Sequence, residues 1–422
     1  MTATDSSPAL SCSRISHVPE YDEFFEKYLK PNVPVIIGPA LVQSWSAVTN
    51  WTITDGHTAS IINWNYLSNQ YGHYEVTVAD CSNVDSSGNQ ERHTGLFRDV
   101  VSLWLKGDGQ SLYVKDWHLA KLVEGSDSHD AFYTTPDIFR DDWMNGWYSA
   151  HTDDDFRFVY VGGQGTFTPL HRDVYTSYSW STNICGRKRW WLFPPDQTLH
   201  LFMDGRSMVP YDARTVDQEK FPNFHKTTPI VVEQNDGETI FVPSGWYHQV
   251  ENLTQCISIN HNWCNSVNLP SLYRSMCDKV VEVEQALEDV HDMLSSGSKN
   301  DNWRAEWVAI VQDVVKHDAG WNWLTFWRMV WHAVWLLDAP PPLARLDTKD
   351  NVRHPDSLFP QAPAILRPPS RFVLNQVEMC YEDFITRDRM ENGGEVGSVV
   401  AAIHEVILTL KQQQAGVTDP GC

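Results

Sequence analysis

The chain has 422 residues, more than one small domain needs and enough for two or three at roughly 150 residues each. Its apolar fraction of 42% suits a globular protein, and no apolar run reaches the length of a membrane-spanning helix, roughly 18 residues or more, so no membrane association is expected. Lys+Arg 32 against Asp+Glu 54 leaves a net charge of −22, a field that repels phosphate backbones and argues against direct nucleic-acid binding. A basic protein partner and plain acidic solubility both fit such a surface.

Residues 1–15 are polar and read as a disordered N-terminus, with no basic-then-apolar pattern of a secretory signal. Tyr21, Phe24, Phe25, Tyr28 and Leu29 recur at helical spacing, Pro31 closes that helix, and Val33–Ile37 reads as a strand. Residues 16–150 mix α and β elements, among them an alternating strand over Ser111–Lys115. Between 156 and 263 the period is two. Strands are predicted at Phe156–Val161, Tyr178–Cys185, Arg189–Phe193, Thr239–Val242, His248–Val250 and Cys256–His261, which indicates a sandwich or barrel over residues 151–270.

The pattern turns helical over 271–422. Leu272, Met276, Val280, Val283, Leu287, Val290 and Leu294 share one face of a long predicted helix, and helices follow at 301–316 and 322–337. Asp338–Ser370 carries eight prolines and reads as a loop, and a last helix is expected over 396–412. A lid, an oligomerisation bundle and a simple packing layer all fit this region, and the sequence sets no oligomeric state. The eight cysteines are scattered without a C-x-x-C pair, which suits reduced, buried thiols in a cytoplasmic or nuclear protein. The 19 tryptophans are expected to fill large core gaps.

Three residues carry chemistry: His171, Asp173 and His248. On extended chain, residues two apart point to one side, so His171 and Asp173 can share one ion. His248 sits where Phe241-Val-Pro-Ser-Gly-Trp-Tyr-His248 runs from strand through turn to strand. Two imidazoles and one carboxylate suit a non-haem Fe(II) oxygenase, and zinc tolerates the same ligands. A lone H-x-D is more often structural; here its neighbours change the balance.

Those neighbours resemble the JmjC family of 2-oxoglutarate- and iron-dependent oxygenases. The resemblance rests on Thr168-Pro-Leu-His171-Arg-Asp173, Gly186-Arg-Lys188-Arg-Trp190 to Phe193-Pro-Pro195, Gly237 to His248, Asn252-Leu, and Ile257-Ser-Ile-Asn260-His-Asn262. Tyr113-Val-Lys-Asp-Trp-His118, Phe156-Arg-Phe-Val-Tyr160 and Ser179-Trp-Ser-Thr-Asn183 are similar in particular to the JmjC lysyl hydroxylases of the eukaryotic translation termination factor. The resemblance implies a mainly β fold: a double-stranded β-helix, or cupin-type jelly roll, with mixed α/β elements before it and helices after it.

It also implies a cofactor set of Fe(2+), 2-oxoglutarate and O2, with His171, Asp173 and His248 as metal ligands and catalytic centre. Lys188 then meets the far carboxylate of 2-oxoglutarate, with Thr168 and Tyr113 as hydroxyl donors. Asn262, with Asn260 two before it on the last predicted strand, is placed to orient oxidant or cosubstrate, and a structural side-chain hydrogen bond suits it equally. Trp180 and Trp246 are candidates to wall the pocket, with plain core packing the stronger reading for both. Asp153-Asp-Asp155 could receive a basic substrate side chain or simply be solvated. The implied activity is hydroxylation of a lysine in a protein substrate, with release of succinate and CO2. An N-methyl-lysine or -arginine demethylase acting on histones and a non-catalytic binding scaffold are the alternatives.

Overall fold

The computed structural model describes residues 11–54, 60–86, 88–125, 131–152, 154–203, 208–297, 303–335, 337, 362–387 and 393–417. The chain divides into two compact units: Met1–Phe139, Asp155–Asp173 and Tyr178–Asn262 form the first, and Arg140–Asp154, Val174–Ser177 and Trp263–Cys422 the second.

The first unit is built from two large sheets and a two-stranded hairpin. Its strands are β1 (Ser13–Ile15), β2 (Val35–Ile37), β3 (Thr52–Thr54), β4 (Ser60–Ile62), β5 (Glu75–Val84), β6 (Gln90–Leu96), β7 (Leu112–Trp117), β8 (Arg157–Gly162) and β9 (Phe167–Arg172). They continue as β10 (Tyr178–Cys185), β11 (Lys188–Phe193), β12 (Ile230–Gln234), β13 (Thr239–Val242), β14 (Tyr247–Asn252) and β15 (Cys256–Trp263). A nine-stranded sheet runs in the order β1-β2-β13-β10-β15-β8-β7-β5-β6, a four-stranded sheet in the order β12-β11-β14-β9, and β3 and β4 make a separate hairpin. Strands distant in sequence are thus neighbours in space, as in a jelly roll closed by crossing connections.

The strands expected between 156 and 263 are present with small shifts, and two more appear among them, β9 and β12. Residues 1–10 of the expected disordered N-terminus lie outside the described residues, but Ser13–Ile15 pairs in parallel with β2 and is ordered as an edge strand. Tyr21–Phe24 is α-helical and continues as a π-helical turn over Phe25–Leu29. The wider turn points Phe24, Phe25, Tyr28 and Leu29 inward together. Phe24 meets Phe139 and Phe241 edge-on, with ring centroids 5.4 and 5.1 Å apart, the arrangement that aromatic quadrupoles favour.

The second unit is helical and has an aromatic core. Tyr273, Trp323, Phe326, Trp327 and Phe384 pack with centroids between 4.9 and 6.3 Å. The apolar stripe from Leu272 to Leu294 does not lie on one continuous helix. Leu269–Ala286 ends where Leu287 leaves helical backbone (φ −108, ψ 21), and Glu288–Gly297 starts afresh.

Residues 338–361 of the proline-rich segment lie outside the described residues, but its end is not simply loop. Ser370–Thr386 is a helix, with Pro369 at its N-cap, a place where the missing amide hydrogen breaks no helical bond. The last helix spans Gly394–Val417. Among the described residues the seven cysteines are free, and no helix is long and apolar enough to cross a membrane.

Truncating Phe24→Ala removes a ring with no exposed surface from contact with Tyr28, Phe139 and Phe241. The expected loss is about 3–5 kcal/mol of stability, read from the midpoint of urea unfolding.

Candidate active site

Register brings the two histidines together. β9 and β14 are antiparallel, with His171 directly opposite His248 and Arg172 opposite Tyr247, and the imidazole centroids lie 4.3 Å apart. Each ring makes the same local bond: Nδ1 of His171 lies 2.9 Å from the carbonyl of Pro169, and Nδ1 of His248 lies 3.2 Å from the carbonyl of Trp246. An imidazole that donates from Nδ1 leaves Nε2 as a lone-pair ligand. The two Nε2 atoms lie 4.0 and 3.9 Å from the carboxylate oxygens of Asp173. Ser179 Oγ donates to Asp173 Oδ2 at 2.7 Å and holds that carboxylate in place. One ligand atom from each of the three residues falls within 4.8 Å of the others.

The His171 ring is pushed below the usual imidazole range by desolvation and by His248 beside it, against the opposing pull of Asp173. A neutral imidazole is the form a metal ion requires.

The triad opens on a cavity lined by Tyr113, Tyr160, Thr168, His171, Asp173, Ser179, Ser181, Lys188, Trp190, His248, Val250, Asn260 and Asn262. Lys188 begins β11 and is 2% exposed. Among the described residues its one hydrogen-bond partner is Ser258 Oγ, at 2.7 Å. Burial lowers its pKa to about 8. An ammonium has three donors and needs a counter-charge when buried, so a carboxylate delivered into the cavity fits it. Burial raises the Tyr113 phenol, which keeps its proton as a donor. Gly162 makes room for this ring, since a Cβ there would stand 2.6 Å from Tyr113 Cδ2.

Of the residues singled out in the sequence, His171, Asp173, His248, Lys188, Thr168, Tyr113, Asn260 and Asn262 share this wall. Trp180 and Trp246 do not. Trp180 alternates with Ser179 and Ser181 along β10, so its indole points to the opposite face and stacks on Phe139 and His261. Trp246 precedes β14 after Gly245 (φ +79), where strand alternation with His248 does not yet apply. It packs with Ile36, Leu192, Ile240 and Val242, and its indole N–H donates to the Asn32 carbonyl.

Asp153 lies outside the described residues. Asp155 is buried and accepts from Arg157 Nε at 2.6 Å, with His118 Nδ1 also at 2.6 Å, so its charge is spent within the fold. Sequence reasoning missed Tyr160, Ser179, Ser181, Trp190 and Val250. Strand parity signals two of them: Trp190 is two beyond Lys188, and Val250 two beyond His248.

Two imidazoles and one carboxylate at the mouth of a jelly roll define the class of non-haem iron oxygenases, and the buried lysine adds a seat for an acidic cosubstrate. A family model described as a cupin-like domain matches residues 21–268. The chain is 35% identical over 321 residues to the mouse 2-oxoglutarate and iron-dependent oxygenase JMJD4, covering 74% of this chain and 71% of the relative. It is 31% identical over 389 residues to the fission yeast JmjC domain-containing protein 1, covering 76% and 82%. It is also 40% identical over 294 residues to the Arabidopsis arginine-specific demethylase JMJ20, covering 65% and 61%. The chain belongs to the cupin-like family, as a JmjC oxygenase dependent on iron and 2-oxoglutarate.

Replacing His171 or Asp173 by Ala is expected to abolish iron retention and turnover together, read as the iron-to-protein ratio after desalting. Lys188→Ala is expected to keep iron while 2-oxoglutarate affinity falls steeply. In the native protein Lys188 is charged below about pH 8 and neutral above it. The Kd for 2-oxoglutarate should therefore be flat below that pH and rise about tenfold per unit above it, measured by calorimetry across pH 6.5–9.5, on the order of three pH units.

Proposed function

We propose that this oxygenase is a protein hydroxylase whose target is a lysine side chain of the translation termination factor. The observation that carries a lysine side chain is the polar wall facing the triad: hydroxyls of Tyr160, Ser179 and Ser181 and amides of Asn260 and Asn262. Such groups hydrogen-bond the N–H donors of an unmethylated ammonium, whereas a methylated ammonium is better served by an aromatic cage. The termination factor itself rests on the motifs around Tyr113, Tyr160 and Ser179.

In this reading His171, Asp173 and His248 hold the iron, and Lys188 with Thr168 and Tyr113 holds the far carboxylate of 2-oxoglutarate. The donor set fits: two Nε2 atoms and a carboxylate converge, and among the described residues the buried Lys188 ammonium has one hydrogen-bond partner, a hydroxyl. When bound, iron and 2-oxoglutarate supply the oxidation of a C–H bond by O2, with succinate and CO2 released. The protein's residues aim the substrate carbon. Ser179 keeps Asp173 from turning, the two Nδ1 bonds keep both imidazoles in the liganding tautomer, and Trp190 and Val250 keep part of the wall apolar.

A second reading is demethylation of an N-methyl-arginine or -lysine, on histones, favoured by the 40% identity to a protein named an arginine-specific demethylase. A non-catalytic scaffold is disfavoured by the full ligand set. The acidic chain suits a basic protein partner without direct nucleic-acid contact, and a cytoplasmic site of action, with the nucleus as a further one, follows from the same target.

Anaerobically iron-loaded protein, given 2-oxoglutarate and air, is expected to release more succinate in the presence of the termination factor and to add the mass of one oxygen to it. Loss of methyl groups from methylated histone peptides, with no such gain, would favour demethylation.

A further inference from the structure

One strained residue stands behind the cavity wall. β7 pairs with β8 as Val114↔Val161 and then Trp117↔Val159, so Lys115 and Asp116 together oppose the single residue Tyr160. This is a β-bulge, a device that re-aims a side chain. Asp116 takes φ +53, a conformation that residues with a Cβ seldom adopt. Strain of this kind persists where the surroundings enforce it, and it gathers at functional sites.

What the bulge achieves is a hydrogen bond. The Tyr160 hydroxyl donates to Asp116 Oδ1 at 2.7 Å, and Tyr160 lines the cavity with Asp173 and Ser179. A phenol has one proton. Once it is committed to Asp116, the oxygen has only acceptor capacity left for anything in the cavity, and the anion behind it enriches that capacity. Such a group receives N–H cations and gives nothing to an apolar chain. Arg92 Nη1 lies 2.9 Å from the other Asp116 oxygen, on the solvent side, where both side chains are about half exposed. Lys115, the other bulge residue, is buried and gives its ammonium to Gln90 Oε1 at 2.7 Å.

We propose that Asp116, acting through the Tyr160 hydroxyl, is the positioning residue that makes this cavity select a cationic side chain. The proposal rests on the reading above that a protein side chain is the substrate, and it identifies what recognises its charge. Ammonium and guanidinium share the required chemistry. Arg92 is a competing cation that shares the Asp116 charge.

The test is binding without turnover, on protein loaded with iron and 2-oxoglutarate under argon. The probes are the Nα-acetyl methylamides of lysine, arginine and norleucine, followed by calorimetry. The native protein is expected to prefer a cationic probe over norleucine by about tenfold or more, the worth of one hydrogen bond to a charged group. Whether lysine or arginine carries the preference decides between ammonium and guanidinium. Asp116→Asn keeps the backbone, because Asn enters the left-handed region readily, and its amide oxygen can still accept from Tyr160. The charge is lost together with the second oxygen that meets Arg92, and the preference should fall several-fold with 2-oxoglutarate affinity retained. Tyr160→Phe should lower the preference at least as far, and Arg92→Gln should raise it, an opposite sign that impaired folding does not produce.

A native protein with no preference overturns the proposal. So does a preference unchanged in Asp116→Asn, or lowered in Arg92→Gln. If the preference behaves as expected while the termination factor gains no oxygen, Asp116 keeps its role and the target alone falls. If the factor is hydroxylated and the preference ignores Asp116, the target stands and this role is removed.

Discussion

The site depends on the register between β9 and β14, which sets His171 opposite His248. Side chains on a strand alternate between faces, so a slip of one residue would send one imidazole to the far side of the sheet and leave no shared ligand position. The same four-stranded sheet carries Lys188 on β11, paired to β14 with Leu192 opposite His248. One sheet therefore spaces the metal-facing imidazoles and the buried ammonium from each other by backbone hydrogen bonds rather than by flexible loops. The nine-stranded sheet supplies the rest of the wall: Tyr113 from β7, Tyr160 from β8, Ser179 and Ser181 from β10, Asn260 and Asn262 from β15.

Among the described residues, Asp173 and Lys188 each have one side-chain hydrogen-bond partner, a neutral hydroxyl, and Asp173 faces the two imidazoles besides. Asp173 leans on Ser179, and Lys188 leans on Ser258. Elsewhere in the same unit the fold satisfies buried charge far more fully: Arg157 makes two bonds to Glu124, at 2.5 and 2.7 Å, and one to Asp155. The contrast has a physical sense. A buried ion with one neutral partner is unfavourable in the free protein, and that deficit becomes binding energy when the complementary ion arrives. The structural network around Arg157 needs nothing more, and it takes Asp155 out of any role toward substrate.

The second unit accounts for much of the unusual tryptophan content without chemistry. Trp323 and Trp327 are buried against Tyr273 and Phe384, and Trp321 stacks on Tyr148 and Tyr175. Large rings fill volume with few rotatable bonds, which orders a helical core at low entropic cost.

Much of the barrel was legible because its strands alternate in short runs separated by Gly, Pro and Asn, and Tyr178–Cys185 and Thr239–Val242 fall where that period places them. β9 was not legible as a strand: Phe167–Arg172 holds a proline, and its alternation is broken by the irregularity between Thr168 and His171 that lets both line the site. The helix Ser370–Thr386 was hidden behind prolines that mark its start as readily as a loop. The ligand residues could be picked out because their chemistry is rare and their spacing is local. Which tryptophans face the cavity could not, since parity on β10 acquires a direction only when β13 and β15 pair with it. The bulge that sets Asp116 against Tyr160 depends likewise on β7 meeting β8. Sequence alone determined the residue types and their period; the pairing of distant strands decided which face is inside, because a strand's alternation has no inward side until another sheet covers it.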